Sequence, residues 1–206
     1  MKYAENPLLL VVSNPADIIT KAVQETSGLP ANRVIGTGTS LDTARFRYNI
    51  STKLHVNVED IQAYVVGEHG DSQVAVWSSA MVGGFPLEDY AKQVGVTLDK
   101  KEIAEHTKNG GAEVIGLKGA TFYGIAMSVS NIVEAIMKDD SAILPAACVL
   151  DESFGEWAGV AVSLPCRLGW EGIETCLRIP MNEEEQVAMN KSVAILKDFW
   201  AQVKEQ

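Results

Sequence analysis

Positive charge is scarce in this 206-residue chain. Seventeen lysines and arginines face 27 aspartates and glutamates, which gives a formal net charge of −10 at pH 7. Nucleic acids and anionic membrane surfaces are bound by clustered lysines and arginines. We therefore expect no nucleic-acid partner and no membrane partner. A small anionic substrate is not excluded, because one or two local arginines can hold it.

Cysteines and long apolar runs are also scarce. Cys148, Cys166 and Cys176 are odd in number and have no metal-like spacing along the chain, which predicts reduced thiols, no metal site and a cytoplasmic protein. No apolar run approaches the roughly 18 residues of a transmembrane helix. The apolar part of the first segment, MKYAENPLLLVVSNP, is too short for a signal peptide.

Hydrophobic residues make up 47% of the chain, enough for a full core. The run LLLVVS at 8–13 predicts a parallel strand buried on both faces. Asn14 and Pro15 then open a helix that ends near Gly28, and RVIGTG predicts a short strand. This pattern predicts that residues 1–36 are the last β-α unit of a Rossmann-type sheet, the remnant of a dinucleotide-binding domain.

The remaining residues, 37–206, predict a mixed α+β domain in which helices pack on antiparallel strands. A serine at position 40 and an asparagine at position 182 are predicted helix N-caps. The apolar composition of the segment from 119 to 138 predicts a buried helix. The predicted helices span 41–55, 100–114, 119–138 and 183–203, and the predicted strands include 62–66, 142–150, 157–164 and 173–179.

The stretch GEHGDSQVAVWS places His69 in a turn of glycine and acid directly after the predicted strand 62–66. Two interpretations are open at this point. His69 is either a loop residue that caps a neighbouring group, or a proton-transfer group at the end of a buried strand. The motif alone does not distinguish them.

The stretch TGTSLDTARFR places Asp42 and Arg45 three residues apart, on one face of the predicted helix. They form either an ordinary intrahelical ion pair or two separate functional groups. In the second case Arg45 grips a substrate carboxylate with its planar fork. Asp42 would then hold the ring of His69, fix its tautomer and stabilise its charged form.

Asn14 and Thr121 are two further candidates. Asn14 follows the first predicted strand, at the edge where open α/β sheets bind ligands, although an Asn-Pro turn explains it equally. Thr121, in LKGATFYG, could line a pocket or simply begin a helix. An acid, a histidine, an arginine and an amide together are the groups that a small 2-oxo acid requires.

Four motifs in order, VVSNPADIIT, GTGTSLDTARFR, GEHGDSQVAVWS and LKGATFYGIA, resemble the L-lactate dehydrogenases of the lactate/malate dehydrogenase superfamily. The resemblance covers essentially the whole chain. It implies an NAD-dependent cytoplasmic oxidoreductase of glycolysis and pyruvate fermentation that converts pyruvate and NADH to L-lactate and NAD. It also implies a homo-oligomer, a tetramer in the complete enzyme.

The resemblance also implies a role for each motif residue. His69 matches the acid/base histidine, Asp42 its partner, and Arg45 the clamp on the substrate carboxylate. Asn14 matches a residue near the nicotinamide and the substrate oxygen, and Val12 a cofactor contact.

Substrate choice rests on two positions. Thr121 matches a pocket residue that faces the substrate side chain. Together with Glu68 it favours a lactate enzyme. Malate with oxaloacetate, or another 2-hydroxy acid, is the alternative substrate.

The main departure from the family is a missing motif. No G-x-G-x-x-G follows a strand, and no ribose-binding acid lies downstream of one. We therefore expect a C-terminal substrate-binding part that lacks the N-terminal NAD-binding half and is inactive as an isolated chain. The alternative is a non-catalytic module for oligomerisation or anion binding.

Overall fold

The computed structural model describes residues 4–204, in which helices pack against two β-sheets. In chain order the elements are β1 (Leu9–Val11), α1 (Ala16–Ser27), β2 (Val34–Gly36), α2 (Ser40–Leu54), β3 (Ile61–Val66), β4 (Val74–Val82), β5 (Phe85–Pro86), α3 (Leu87–Gln93), α4 (Lys100–Lys118), α5 (Tyr123–Lys138), β6 (Ile143–Val149), β7 (Ala161–Gly169), β8 (Gly172–Cys176) and α6 (Glu183–Lys204). Short 3-10 turns cover Ala31–Arg33, Val58–Asp60 and Glu152–Trp157. No helix in the described part is both long and apolar enough to cross a bilayer.

The larger sheet has five strands in the order β1-β2-β6-β7-β8, and the smaller has three in the order β3-β4-β5. Only β1 and β2 are parallel; all other pairs are antiparallel. The predicted α+β class is therefore confirmed. The parallel pair continues directly into the antiparallel strands through Gly36 and Ala147, and the predicted boundary at 36/37 stays a prediction.

Several predicted bounds were wrong. The first strand covers 9–11 instead of 8–13. The strand predicted at 157–164 covers 161–169, because a 3-10 turn carries the chain to Trp157. The last predicted strand, 173–179, ends at Cys176. A strand at 8–13 without partner strands predicts either oligomerisation through its edge or disorder of the first residues, and residues 1–3 lie outside the described residues.

The helix predicted at 100–114 continues to Lys118. It stops where Gly119 adopts a left-handed conformation and its N–H bonds to the carbonyl of Ile115. The next helix begins at Tyr123 instead of residue 119, so Thr121 lies in the connecting loop. Helix α2 begins at Ser40, and Thr39 rather than Ser40 occupies the N-cap position.

The expectation that α5 is buried was wrong for half of its surface. Ile132 and Ile136 are buried, but Tyr123, Met127 and Met137 are 77%, 62% and 63% exposed. Apolar composition predicts that a surface will be covered, but it does not identify what covers it. In the single chain, the outer face of α5 contacts solvent.

Helix α6 is fixed to the smaller sheet through its first turn. As predicted, Asn182 caps it: its side chain accepts a hydrogen bond from the Glu185 N–H at 2.9 Å. The buried Glu185 carboxylate in turn accepts bonds from the main-chain N–H groups of Asn182, at 3.1 Å, and Trp77, at 2.8 Å. This capping box holds α6 against β4.

Candidate active site

A cavity of about 560 Å³ opens beside the carboxyl ends of β1 and β2, between α2 and α4. Its wall includes polar and charged groups from segments that are far apart in sequence. All six residues singled out from the sequence line it: Val12, Asn14, Asp42, Arg45, His69 and Thr121.

Two elements, β7 and α6, fix the main chain of the turn that carries His69. Gly67 exchanges two hydrogen bonds with Ser163 of β7, at 3.0 and 3.1 Å. The N–H of Glu68 donates to the Ser192 hydroxyl of α6 at 2.8 Å. Gly67 has a φ of 88°, and a Cβ there would lie 2.7 Å from the Ser192 oxygen, so glycine is required.

The imidazole of His69 lies against the carboxylate of Asp42, with Nδ1 and Oδ2 2.6 Å apart. Asp42 is buried, whereas the His69 side chain is 27% exposed. A carboxylate only accepts, so Nδ1 donates, and Nε2 is left as the nitrogen that can exchange a proton. The hydrogen bond to Asp42 outweighs burial and raises the pKa of His69 above its ordinary 6.5.

Arg45 shares the same carboxylate less closely. Its Nη1 lies 3.4 Å from Oδ1 of Asp42, while Oδ2 faces His69. Both interpretations of the D-x-x-R motif therefore describe part of the geometry, because Asp42 contacts the arginine and the histidine together. The Arg45 side chain is 21% exposed and lines the cavity, so its guanidinium can meet an anion there.

Two adjacent glycines of α4 make room for Arg45, and the sequence analysis did not identify them. A Cβ on Gly110 would lie 3.1 Å from Cδ and 3.2 Å from Nε of Arg45. A Cβ on Gly111 would lie 3.7 Å from the guanidinium nitrogens. The available signal was a glycine pair inside a helical pattern, which usually has a packing or functional reason.

Asp17 is a second acid that the sequence analysis did not identify. It is 3% exposed, and its Oδ2 accepts a hydrogen bond from the main-chain N–H of His69 at 2.7 Å. Within the described part of the chain its Oδ1 has no hydrogen-bond partner. Burial raises the pKa of Asp17 from 3.8 to about 7.

A second cation also lines the cavity. Lys108 of α4 forms an ion pair with Asp71 at 2.9 Å, and Asp71 is 96% exposed. Neither residue was singled out from the sequence, because a lysine on a polar helix face is usually only solvated. The pair places charge at the rim of the cavity.

Asn14, Thr121 and Val12 line the cavity but do not contact the charged side chains of His69, Asp42 and Arg45. In residues 4–204 no hydrogen bond joins Asn14 or Thr121 to His69, Asp42 or Arg45. Val12 is 41% exposed and, with Leu41 and other apolar side chains, gives the cavity an apolar side. That side suits a flat ring, while the charged side suits a small acid.

Comparisons with known proteins identify the family of this chain. Residues 39–206 match the model of the lactate/malate dehydrogenase α/β C-terminal domain. The L-lactate dehydrogenase of Nitratidesulfovibrio vulgaris is 41% identical over 98% of this chain and 66% of its own length. That of Acetivibrio thermocellus is 42% identical over 97% of this chain and 63% of its own length.

Solved structures give the same result. An L-lactate dehydrogenase from Clostridium thermocellum superposes with a TM-score of 0.88 and 42% identity, over 98% of this chain and 67% of that one. A minor L-lactate dehydrogenase from Enterococcus mundtii has a TM-score of 0.88 and 37% identity, over 95% and 63%. The chain thus spans about two thirds of the length of these relatives.

The buried carboxyl of Asp17 predicts how stability depends on pH. Its folded pKa of about 7 lies above the ordinary 3.8, so the folded state holds this proton more tightly. The free energy of unfolding should therefore fall as pH rises from about 4 to about 7, by about 1.4 kcal/mol per pH unit at most. His69, whose folded pKa is also raised, contributes stability below about pH 6.5 that is lost as pH rises through its folded pKa.

We expect Asp17→Asn to flatten this dependence between pH 4 and 7 and to keep most of the His69 part, whose main cause is the hydrogen bond to Asp42. Urea unfolding followed by circular dichroism across this pH range measures it. Asp198→Asn, an exposed acid on α6, is the matched control and should keep the original slope. An Asp17→Asn protein with the slope of the control would contradict the assignment.

Proposed function

Because this chain belongs to the lactate/malate dehydrogenase family, we propose that it carries the substrate-binding and acid/base residues of an NAD-dependent L-lactate dehydrogenase. The reaction is the interconversion of pyruvate and NADH with L-lactate and NAD. One observation carries the proposal: the 2.6 Å pair of His69 and Asp42 lines the same cavity as the guanidinium of Arg45.

Each charged group has a task that follows from its chemistry. Arg45 binds the carboxylate of pyruvate, because its planar fork matches two carboxylate oxygens. Protonated His69 donates from Nε2 to the keto oxygen as that oxygen becomes a hydroxyl. Asp42 holds the ring and stabilises its charged form. The raised pKa of His69 increases the protonated fraction near neutral pH above that of an ordinary histidine.

The apolar side of the cavity fits the nicotinamide end of NAD. Val12 and Asn14, which follow β1, would hold that end beside His69. Bound NADH supplies the hydride that C2 of pyruvate accepts. The sequence has no glycine-rich dinucleotide turn, so we propose that the 206-residue polypeptide alone turns over little pyruvate. A module that only associates or binds anions is the competing function.

Lactate chemistry is favoured by Glu68 and Thr121, through the family resemblance of their motifs. One observation supports the alternative substrate, oxaloacetate. Its second carboxylate needs a second cation, and Lys108 lines the cavity. Lys108 is already paired with Asp71, which reduces its pull on a substrate. Comparing turnover of pyruvate and oxaloacetate distinguishes the two.

We also propose that the chain acts as a homo-oligomer, a tetramer in the complete enzyme. The outer face of α5 supports this, since Tyr123, Met127, Val133 and Met137 are all exposed apolar side chains on one helix. The cytoplasm is the proposed compartment, because the three cysteines are thiols and not disulfides.

The role of His69 can be tested in a chimera in which this chain replaces the matching 63% of the Acetivibrio thermocellus relative. We expect His69→Asn to lower kcat for pyruvate reduction by about 10²–10⁴-fold, the usual contribution of a general acid. His106→Asn, an exposed histidine on α4, should keep the rate. A rate within about tenfold of wild type, or about 1.4 kcal/mol of barrier, would refute the role of His69. The isolated chain should show background turnover.

The glycine pair of α4 gives a test of Arg45 that leaves its charge in place. Gly110→Ala puts a methyl group against the Arg45 side chain and should lower kcat/KM for pyruvate by roughly 10–100-fold, mostly through KM. Gly116→Ala lies on the same helix with nothing within 4 Å, so it should leave KM unchanged. Both alanines favour the helix by up to about 1 kcal/mol. Equal KM values in the two variants would contradict the clamp.

The proposed interface can be tested on the chain itself by size-exclusion chromatography with light scattering. We expect an oligomer for the wild type and smaller species for Met127→Lys combined with Met137→Lys, because buried lysines at an apolar interface are costly. Val187→Lys, an exposed apolar residue on α6, is the control and should not change the mass. A wild-type monomer would overturn the proposal.

A further inference from the structure

Three cysteines that are distant in sequence meet on neighbouring strands. Cys148 lies on β6, Cys166 on β7 and Cys176 at the end of β8. The sulfur of Cys176 is 3.0 Å from that of Cys148 and 3.6 Å from that of Cys166, and all three sulfurs lie within 4.8 Å of one another. They are the only cysteines in the sequence. Their spacing along the sequence, which is not that of a metal-binding motif, gives no sign of this convergence.

Strand pairing explains why the sulfurs converge. Cys166 and Cys176 are direct partners across β7 and β8, so their side chains lie on the same face of the sheet. Cys148 is paired with Val162, which is four residues before Cys166 on β7 and so on that face as well. The alternation of the strands therefore places all three thiols on one face of the sheet.

Two of the three thiols are buried, but the third is accessible from solvent. Cys148 and Cys166 are 4% and 0% exposed, whereas Cys176 is half-buried. A cavity of about 330 Å³ is lined by Cys148 and Cys176 together with the acids Asp151 and Glu174. The acids attract cations, and the thiols are soft ligands. No residue lining this cavity also lines the candidate active site.

We propose that Cys148, Cys166 and Cys176 form a three-sulfur binding site for a thiophilic metal ion of the Zn²⁺ class. A Zn–S bond of about 2.3 Å in a tetrahedral site requires sulfurs about 3.8 Å apart, within the range of separations observed. The negative charge of three thiolates is neutralised more closely by a divalent cation than by a monovalent cation. Water from the adjoining cavity supplies the fourth ligand, as in other three-ligand zinc sites.

A disulfide explains the cluster less well. A bond between Cys148 and Cys176 would use two sulfurs, release two electrons and two protons to an oxidant such as a peroxide, and leave Cys166 without a role. The convergence of a third sulfur, itself fully buried, is what a metal site requires and a disulfide does not.

The test is a titration of the reduced full chain with Cd²⁺ under anaerobic conditions. Cadmium reports thiolate ligation through a charge-transfer absorption in the ultraviolet, and because the softer Cd²⁺ binds thiolates more tightly, it should displace Zn²⁺ that was bound beforehand. We expect one ion per chain and, when the ion is bound, protection from alkylation of Cys176, the half-buried thiol. Titration with Cu⁺ against a competing chelator determines whether a monovalent ion binds more tightly.

Variants separate this site from chance binding. Cys176→Ser should abolish the charge-transfer absorption, and the matched control Thr175→Ser, an exposed neighbour on β8, should retain it. Circular dichroism verifies that both are folded. The alkylation experiment on the wild type decides the matter if Cys176→Ser does not fold. Binding without the absorption, a Cys176 thiol that stays reactive in the presence of the ion, or a reduced protein that binds nothing and forms only a disulfide would each overturn the proposal.

Discussion

One buried serine, Ser163, bonds both to the segment that leads to His69 and to the segment that leads to Asp42. Ser163 of β7 exchanges both main-chain hydrogen bonds with Gly67, and its hydroxyl accepts a bond from the N–H of Thr39 at 3.0 Å. Gly67 leads to the turn of His69, and Thr39 leads to the helix that carries Asp42. A single residue of the larger sheet therefore sets the position of both the histidine and its acid.

The hydrogen bonds of Ser163 hold the histidine and its acid in place although the cavity around them is open. The cavity wall is assembled from loops and helix faces, some of them half exposed, yet the His69 and Asp42 pair is held from the main chain. Groups held by main-chain bonds to a sheet are better ordered than groups held by side chains alone. Arg45 is positioned differently, by α2 behind it and by the missing side chain of Gly110 in front.

The sequence predicted the site better than it predicted the elements around it. The order of four motifs, and the family they resemble, pointed to His69, Asp42 and Arg45, although each motif alone left two interpretations open. The bounds of α4 and β7 were missed, because the conformation of Gly119 and the 3-10 turn before β7 depend on packing. Asp17 was missed for a similar reason: an acid in the first turn of a helix is usually exposed and favourable there. The convergence of the three sulfurs depends on strand order, which no linear spacing contains.

The buried oxygen of Asp17 has a consequence for the electrical balance of the site. When Asp17 holds its proton, Asp42 is the anion that contacts two cations, Arg45 and the charged imidazole. An incoming monoanion brings the group to neutrality. If the imidazole has instead lost its proton to solvent before the anion binds, the same anion leaves an uncompensated negative charge in a partly dehydrated space. Binding of one monoanionic acid and retention of one proton by His69 thus occur together and leave no net charge. The protonated carboxyl of Asp17 is what makes this ratio one to one.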